Sequence, residues 1–227
     1  MKLVGVDPAP KKDATIWTDT GLARVAALEM PAFVRALVEE HAEIVVAWDA
    51  PLSFDPSISM SDRAVDRVVR RWSKRLQAEG RIEAKAVSVL TFSGCPHWAI
   101  TCATLGVPFG TPPTGLRVGA SVADGPKLAV EVHPAVAMAM RWQDLQLDRP
   151  FPKYKRAPSA CAEIAAAMCF PEAAGHDDDA LDAYAGYWLA GALVGGEARL
   201  LGDRVAGGYL VPVGPTCDAL LADLRSA

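Results

Sequence analysis

Three apolar runs of this 227-residue chain end in an acid. "KLVGVD" closes on Asp7, "EIVVAWD" on Asp49 and "KLAVE" on Glu131. A further apolar stretch, "HDDDALDAYAGYWLAGAL", opens with Asp177, Asp178, Asp179 and Asp182. Carboxylates gathered in one place repel and raise one another's pKa values unless a cation holds them. Oxygen donors without paired Cys or His suit a hard divalent ion, and Mg2+ or Mn2+ completes its octahedron with water and substrate phosphate. The chemistry such a set supports is two-metal hydrolysis of a phosphate ester, one ion activating water and the other stabilising the leaving oxygen.

Helix capping accounts for some of these acids. Asp favours the N-cap, and acids in the first turn gain about 0.3–1 kcal/mol from the helix dipole. That explains Asp177, Asp178 and Asp179. It does not explain Asp182, which lies beyond the first turn between Leu181 and Ala183. Asp182 stands at i+4 from Asp178 and i+3 from Asp179, so at least one of the two shares its face.

The elements that must position these residues follow from pattern and punctuation. "KLVGVD", "DATIWTD" and "LARVAALE" read as three strands of an antiparallel meander, the latter two joined at Thr20-Gly21. "PAFVRALVEEH" sets Phe33, Leu37 and Val38 on one helix face, with Pro31 near its start. "EIVVAWDAPL" is a strand covered on both faces, and residues 61–80 form a charged helix with Ser61 as N-cap. Residues 93–126, rich in Gly, Pro and Thr, read as an insertion holding a helix in "GCPHWAITCATLG" and a loop in "VPFGTPPTGLRVG". "KLAVEVHP" is the fifth strand. A partly helical stretch, "FPKYKRAPSACAEIAAAMCF", precedes the acid-headed helix; "RVAGGYLVPVG" makes a hairpin around Gly207-Gly208, and "PTCDALLADLRSA" a closing helix.

This order predicts one α/β domain over residues 1–227: a mixed five-stranded sheet with strands one to three antiparallel and strands one, four and five parallel through helical crossovers. Ligand sites in parallel sheets gather at the carboxyl ends of strands, where Asp7, Asp49 and Glu131 would share an edge. No internal repeat is visible.

Other residue sets carry less. Arg63, Arg67, Arg70, Arg71, Lys74 and Arg75 form a positive stripe on one helix, read either as a phosphate contact or as a solvated face paired with Asp62 and Asp66. His97 with Cys95 and Cys102 lacks a fourth zinc ligand at convincing spacing. His133 and His176 lie beside the proposed acids, as proton shuttles or as structural histidines. "GTPPTG" lacks the Lys-Ser/Thr ending of a P-loop, and "FSGCPHW" has the wrong spacing for a nucleophile elbow.

Composition is that of an ordinary globular chain, 51% hydrophobic and 22% charged. A net charge of −4 offers no overall attraction to a polyanion, which must be held by a local patch or by metal ions. Five cysteines without a C-x-x-C pair point to a reducing compartment. The apolar run of four residues before Asp7 is too short for a signal peptide, and no stretch reaches transmembrane length, so the expectation is a cytoplasmic protein.

Seven motifs occur in order along the chain: "GVDPAP", "WDAPLSF", "RAVDRVVR", "EVHPA", "YK" at Tyr154-Lys155, "DDDALDAYAGYWLA" and "GGYLVPVG". On them the chain resembles the family catalogued as domain of unknown function 429, predicted nucleases of the ribonuclease H-like superfamily related to RuvC-type Holliday-junction resolvases. The resemblance implies a ribonuclease H-like sheet flanked by helices. It carries over Asp7, Asp49, Glu131, Asp182 and one of Asp178 or Asp179 as the acidic site. Asp179 is preferred because resolvase-like helices carry acids at i and i+3. Asp7, Asp49, Asp179 and Asp182 would hold two Mg2+ or Mn2+ ions, while Glu131 either completes the set or positions the site or its substrate. Arg63, Arg67 and Lys155 become candidate phosphate contacts. The implied partner is nucleic acid, DNA or RNA, or a nucleotide, with no membrane partner; a homo-oligomer is compatible with all of this. Two rivals stand beside it: an ATP-dependent phosphotransferase of the sugar-kinase and actin type, whose phosphate loop carries a Gly where "DPAPKKDAT" has none, and a non-catalytic scaffold.

Overall fold

Side-chain alternation decides how the sheet is built, and the strands follow it. The computed structural model describes residues 1–9, 12–53, 63–89, 97–106, 114–204 and 206–226. Ser61, Asp62, Cys95 and most of "GTPPTG" lie outside the described residues. Strands β1 (Lys2–Asp7), β2 (Ala14–Thr18) and β3 (Gly21–Val25) make the antiparallel meander. Thr18 pairs with Gly21, so Asp19 and Thr20 form the turn and Gly21 takes φ 106°, a value glycine adopts without strain. Helix α1 (Met30–Glu40) returns the chain to β4 (Ile44–Trp48), parallel to β1.

Next come α2 (Ala64–Ala78), α3 (Trp98–Leu105), β5 (Arg117–Gly119), β6 (Lys127–Glu131), α4 (Pro134–Asp144), α5 (Pro158–Ala167) and α6 (Asp178–Val194). The hairpin β7 (Ala198–Asp203) and β8 (Gly207–Pro212) and helix α7 (Pro215–Arg225) complete the chain. The main sheet runs β3-β2-β1-β4-β6-β5, with β1, β4, β6 and β5 parallel.

Three expectations need correction. The sheet has six strands, because β5 lies inside the stretch read as an insertion; a three-residue strand is too short for alternation to reveal and is defined by its pairing with β6. The hairpin turns before Gly207, which pairs with Asp203, so the first arm is "ARLLGD" and not the residues leading into Gly207-Gly208. Helix α2 begins at Ala64 after Arg63, and no side chain caps it.

Val4, Val6, Val46, Trp48 and Ala129 point to one face of the sheet and pack with Met30, Val34 and Val38 of α1 and Ile100 and Leu105 of α3. Val45, Ala47, Leu128 and Val130 point to the other face, against Leu189 and Ala190 of α6 and Leu210 of β8. A further layer, containing Trp72, Trp142, Phe151 and Tyr154, packs on Leu181 and Ala185 of α6. Helix α6 is therefore enclosed on both sides, which is why it is apolar nearly all round. A Cβ at Gly5 would collide with the carbonyl of Ala183 and the amide of Tyr187, so α6 lies on β1 in backbone contact. No helix among the described residues is long and apolar enough to cross a membrane.

Candidate functional site

The backbone contact at Gly5 sets the site. One turn before Gly186 on α6 stands Asp182, and two residues beyond Gly5 on β1 stands Asp7. The amide of Asp49 donates to the carbonyl of Val6 at 3.0 Å, continuing the β1–β4 ladder by one residue. Alternation then turns Asp7 and Asp49 to the same face as Gly5 and Ala47, the face that α6 covers. Asp7 and Asp182 are only 6% and 2% exposed. Burial, followed by the charges of Asp182 and Asp49, raises Asp7 well above the ordinary carboxylate range. Burial and then Asp182 push Asp49 up to about 8. Burial also raises Asp182, against the pull of Lys155 and Tyr154.

The opposing positive charge is Lys155. Its ammonium donates to Asp182 Oδ2 and lies 4.0 Å from Asp178 Oδ2. Tyr154 Oη donates to Asp182 Oδ1 at 2.7 Å, so consecutive residues hold both oxygens of one carboxylate. Burial works against the charge on Lys155, but Asp182 and Asp7 outweigh it and raise its pKa above the ordinary lysine value. Tyr154 is anchored by Phe151, whose ring stands 6.2 Å away, and Phe151 by Trp142 at 5.6 Å. A pocket of about 170 Å3 opens here, lined among others by Asp49, Lys85, His97, His133, Lys155 and Asp182.

Glu131 follows a different course. It pairs with Trp48, one step out of phase with Asp49, so it starts towards the opposite sheet face while still bordering the pocket. Its Oε1 lies 2.8 Å from Arg63 Nη2, and its Oε2 accepts the Leu52 amide at 2.7 Å and Arg63 Nη1 at 3.0 Å. Arg63 Nε also donates to Asp66 Oδ2 at 2.8 Å. Arg63 is 4% exposed and committed to two carboxylates, so it is a buried structural cation and not a free phosphate contact. Arg67 is half-buried on the same helix.

The helix acids divide. Asp177 is the N-cap of α6, accepting the Ala180 amide at 2.8 Å, and is paired with Arg24 at 2.8 Å. Asp179 is bonded to Lys12 and lies 3.4 Å from Arg24. Burial opposes its charge, but the Lys12 bond outweighs this and lowers its pKa. Asp179 adds to the field on Asp7, whereas Asp178 adds to the field on Asp182. Of the two, Asp178 shares Lys155 with Asp182, as i+4 spacing allows.

The structure thus brings Asp7, Asp49 and Asp182 together, with Lys155 among them. It sets Glu131 apart in the Arg63 network and gives Asp179 to Lys12 and Arg24. Burial holds His97 and His133 down to about 4, so both rings are neutral near pH 7. His176 is exposed. Sequence reasoning missed the clamp on Asp182 by Tyr154; "YK" was its only signal. Nothing in the sequence marks Arg24 and Lys12 as partners of the helix acids.

Among the described residues no three His, Cys, Asp or Glu side chains are grouped so as to hold a metal ion between them. Mg2+ is bound through one or two carboxylates with several waters and substrate phosphates, so oxygen donors from β1, the end of β4 and α6 suit it without such a cage. Compared with known families, characterised proteins and solved structures, the chain matches none. The resemblance drawn from the motifs is carried by those residues alone.

Proposed function

We propose that this chain is a divalent-metal-dependent phosphodiesterase acting on nucleic acid, a nuclease built on a ribonuclease H-like sheet. The observation that carries the reading is the convergence of Asp7, Asp49 and Asp182, three acids at the carboxyl ends of parallel strands and on the helix above them, close enough that Asp182 raises both Asp7 and Asp49. Three carboxylates offset by Lys155 form a centre short of positive charge, and a divalent cation is its natural complement. A meander followed by parallel strands and an acid-headed helix across the first strand agrees with a ribonuclease H-like arrangement.

Asp7, Asp49 and Asp182 are the residues that would hold Mg2+ or Mn2+, with Asp178 or Asp179 at the rim. Bound there, the ions would supply an activated water and charge stabilisation at the phosphorus centre. Tyr154 and Lys155 fix the orientation of Asp182, and Gly5 fixes its distance from β1. Arg63 neutralises Glu131, keeping a fourth buried negative charge from adding fully to the centre. The neutral histidines offer nitrogen donors or acceptors without adding charge.

The test is Mg2+- or Mn2+-dependent cleavage of end-labelled DNA and RNA. Asp7→Asn should reduce cleavage by about a thousandfold or more with the fold retained, the scale of losing an electrostatic group at a reacting centre. Cleavage by that variant at the wild-type rate would overturn the proposal.

A further inference from the structure

We propose that Lys85, Lys153 and Arg156 form a clamp along the pocket rim for the backbone phosphates of a polynucleotide on either side of the reacting group. This inference rests on the nuclease reading and deepens it, since it requires a polymer in place of a mononucleotide.

The clamp is built from two segments, residues 81–85 and 152–156. They are joined by the bridge between Ile82 and Phe151 and by hydrogen bonds from Glu83 N to Phe151 O at 3.0 Å and from Phe151 N to Arg81 O at 2.9 Å. In a chain of net charge −4, these segments carry Arg81, Lys85, Lys153, Lys155 and Arg156 against the single acid Glu83. The Glu83 carboxylate is already engaged, accepting the Lys153 amide at 2.8 Å. Lys85, Lys153 and Arg156 are exposed and have no ion-pair partner among the described residues. Lys85 and Lys155 both line the pocket that contains Asp49 and Asp182.

The backbone adds an independent observation. Lys85 and Arg156 both stand at φ 63°, in the left-handed region that costs an L residue free energy and that glycine adopts freely. Lys85 lines the pocket itself, and Lys153 and Arg156 are the chain neighbours on either side of Tyr154 and Lys155, which also line it. Lys155, turned inward onto Asp182, belongs to the centre; the other three face outward. One phosphate cannot meet all of these cations, whereas successive phosphates of a strand can, and such contacts position a backbone without reading its sequence.

The test is fluorescence anisotropy in EDTA with labelled DNA and RNA of about 20 nucleotides, longer than common single-strand site sizes. The full-length protein is titrated at salt concentrations between about 50 and 200 mM, with a labelled mononucleotide in parallel. The comparison is with the triple variant Lys85→Gly, Lys153→Ala, Arg156→Gly, whose glycines relieve the positive φ values and so preserve the fold. Three lost contacts, each worth about 0.7 in the slope of log affinity against log salt for a single strand, should lower that slope by about 2. Affinity at low salt should fall about tenfold or more. An unchanged slope in the variant, or wild-type binding of the mononucleotide as tight as of the oligonucleotide, overturns the clamp. Loss of oligonucleotide binding in the variant, with no metal-dependent cleavage by the wild type, sustains the clamp and removes the nuclease reading.

Discussion

Tyr154 and Asp182 are joined by a fully buried hydrogen bond of 2.7 Å from the phenol to the carboxylate, across 28 residues of sequence. A hydrogen bond to a charged group contributes about 1.5–3 kcal/mol. Tyr154→Phe should therefore lower Tm by about 3–12 °C for a chain of this length. A thermal scan that finds no change would show the phenol contributing nothing to the site.

Lys155 holds Asp182, the carboxylate for which the proposed divalent ion would compete. Lys155→Met should destabilise the metal-free protein by about 1–2 kcal/mol, a value discounted because the side chain is half exposed. Mn2+ should then raise Tm more in the variant than in the wild type, because a ligand specific to the native state stabilises it by mass action. Equal Mn2+ responses would place the ion elsewhere.

The pH dependence has a definite sign. Asp49 is raised from 3.8 to about 8, so the native state holds its proton more tightly than the unfolded chain does. The resulting stabilisation is complete below the lower value and is lost as pH rises to the upper one. Metal-free protein in chelator should melt at progressively lower temperature between about pH 4 and pH 8, and Asp49→Asn should flatten that part of the profile. Parallel profiles for the two proteins would contradict the assignment.

Arg63→Met should be costly, about 3–5 kcal/mol, because it leaves Glu131 and Asp66 buried without their cation. Adding Glu131→Gln should recover part of the loss. Arg63→Lys should not rescue it, since an ammonium cannot bridge two carboxylates as a guanidinium does. Denaturant melts of the single and double variants test the coupling.

Gly5→Ala should cost about 3 kcal/mol, or about 6–12 °C in Tm, by forcing α6 away from β1. Cleavage should fall further than stability alone accounts for, since Asp182 moves with the helix. Full activity in a folded variant would mean that the helix-to-strand spacing does not set the site.

What was legible in the sequence was whatever period and punctuation record. The apolar runs ending at Asp7 and Asp49 and the acids heading α6 gave the strands, the helix and their shared edge. The Arg63–Glu131 pair was not legible, because it joins residues 68 apart and depends on which face each strand position takes. The different partners of Asp178 and Asp179 were not legible either, because Lys12, Arg24 and Lys155 approach the helix only in the tertiary structure. Strand β5 is defined by its neighbour alone. Lys85, Lys153 and Arg156 are scattered in the text and become a group only through the Ile82–Phe151 bridge.

Strand β1 is laddered on both edges, to β2 and β4, and α6 rests on its backbone. The wall across the pocket is joined instead by one bridge at Ile82 and the hydrogen bonds beside it, with Ile82, Ala86, Phe151 and Tyr154 buried beneath. The molecule is thus built as an anvil facing a jaw: one half is laddered on both edges, and the other, held by fewer backbone hydrogen bonds, is where local opening is expected first. Tolerance for ligands of different bulk should be decided in the jaw, and amide exchange should be faster over residues 84–88 than along β1.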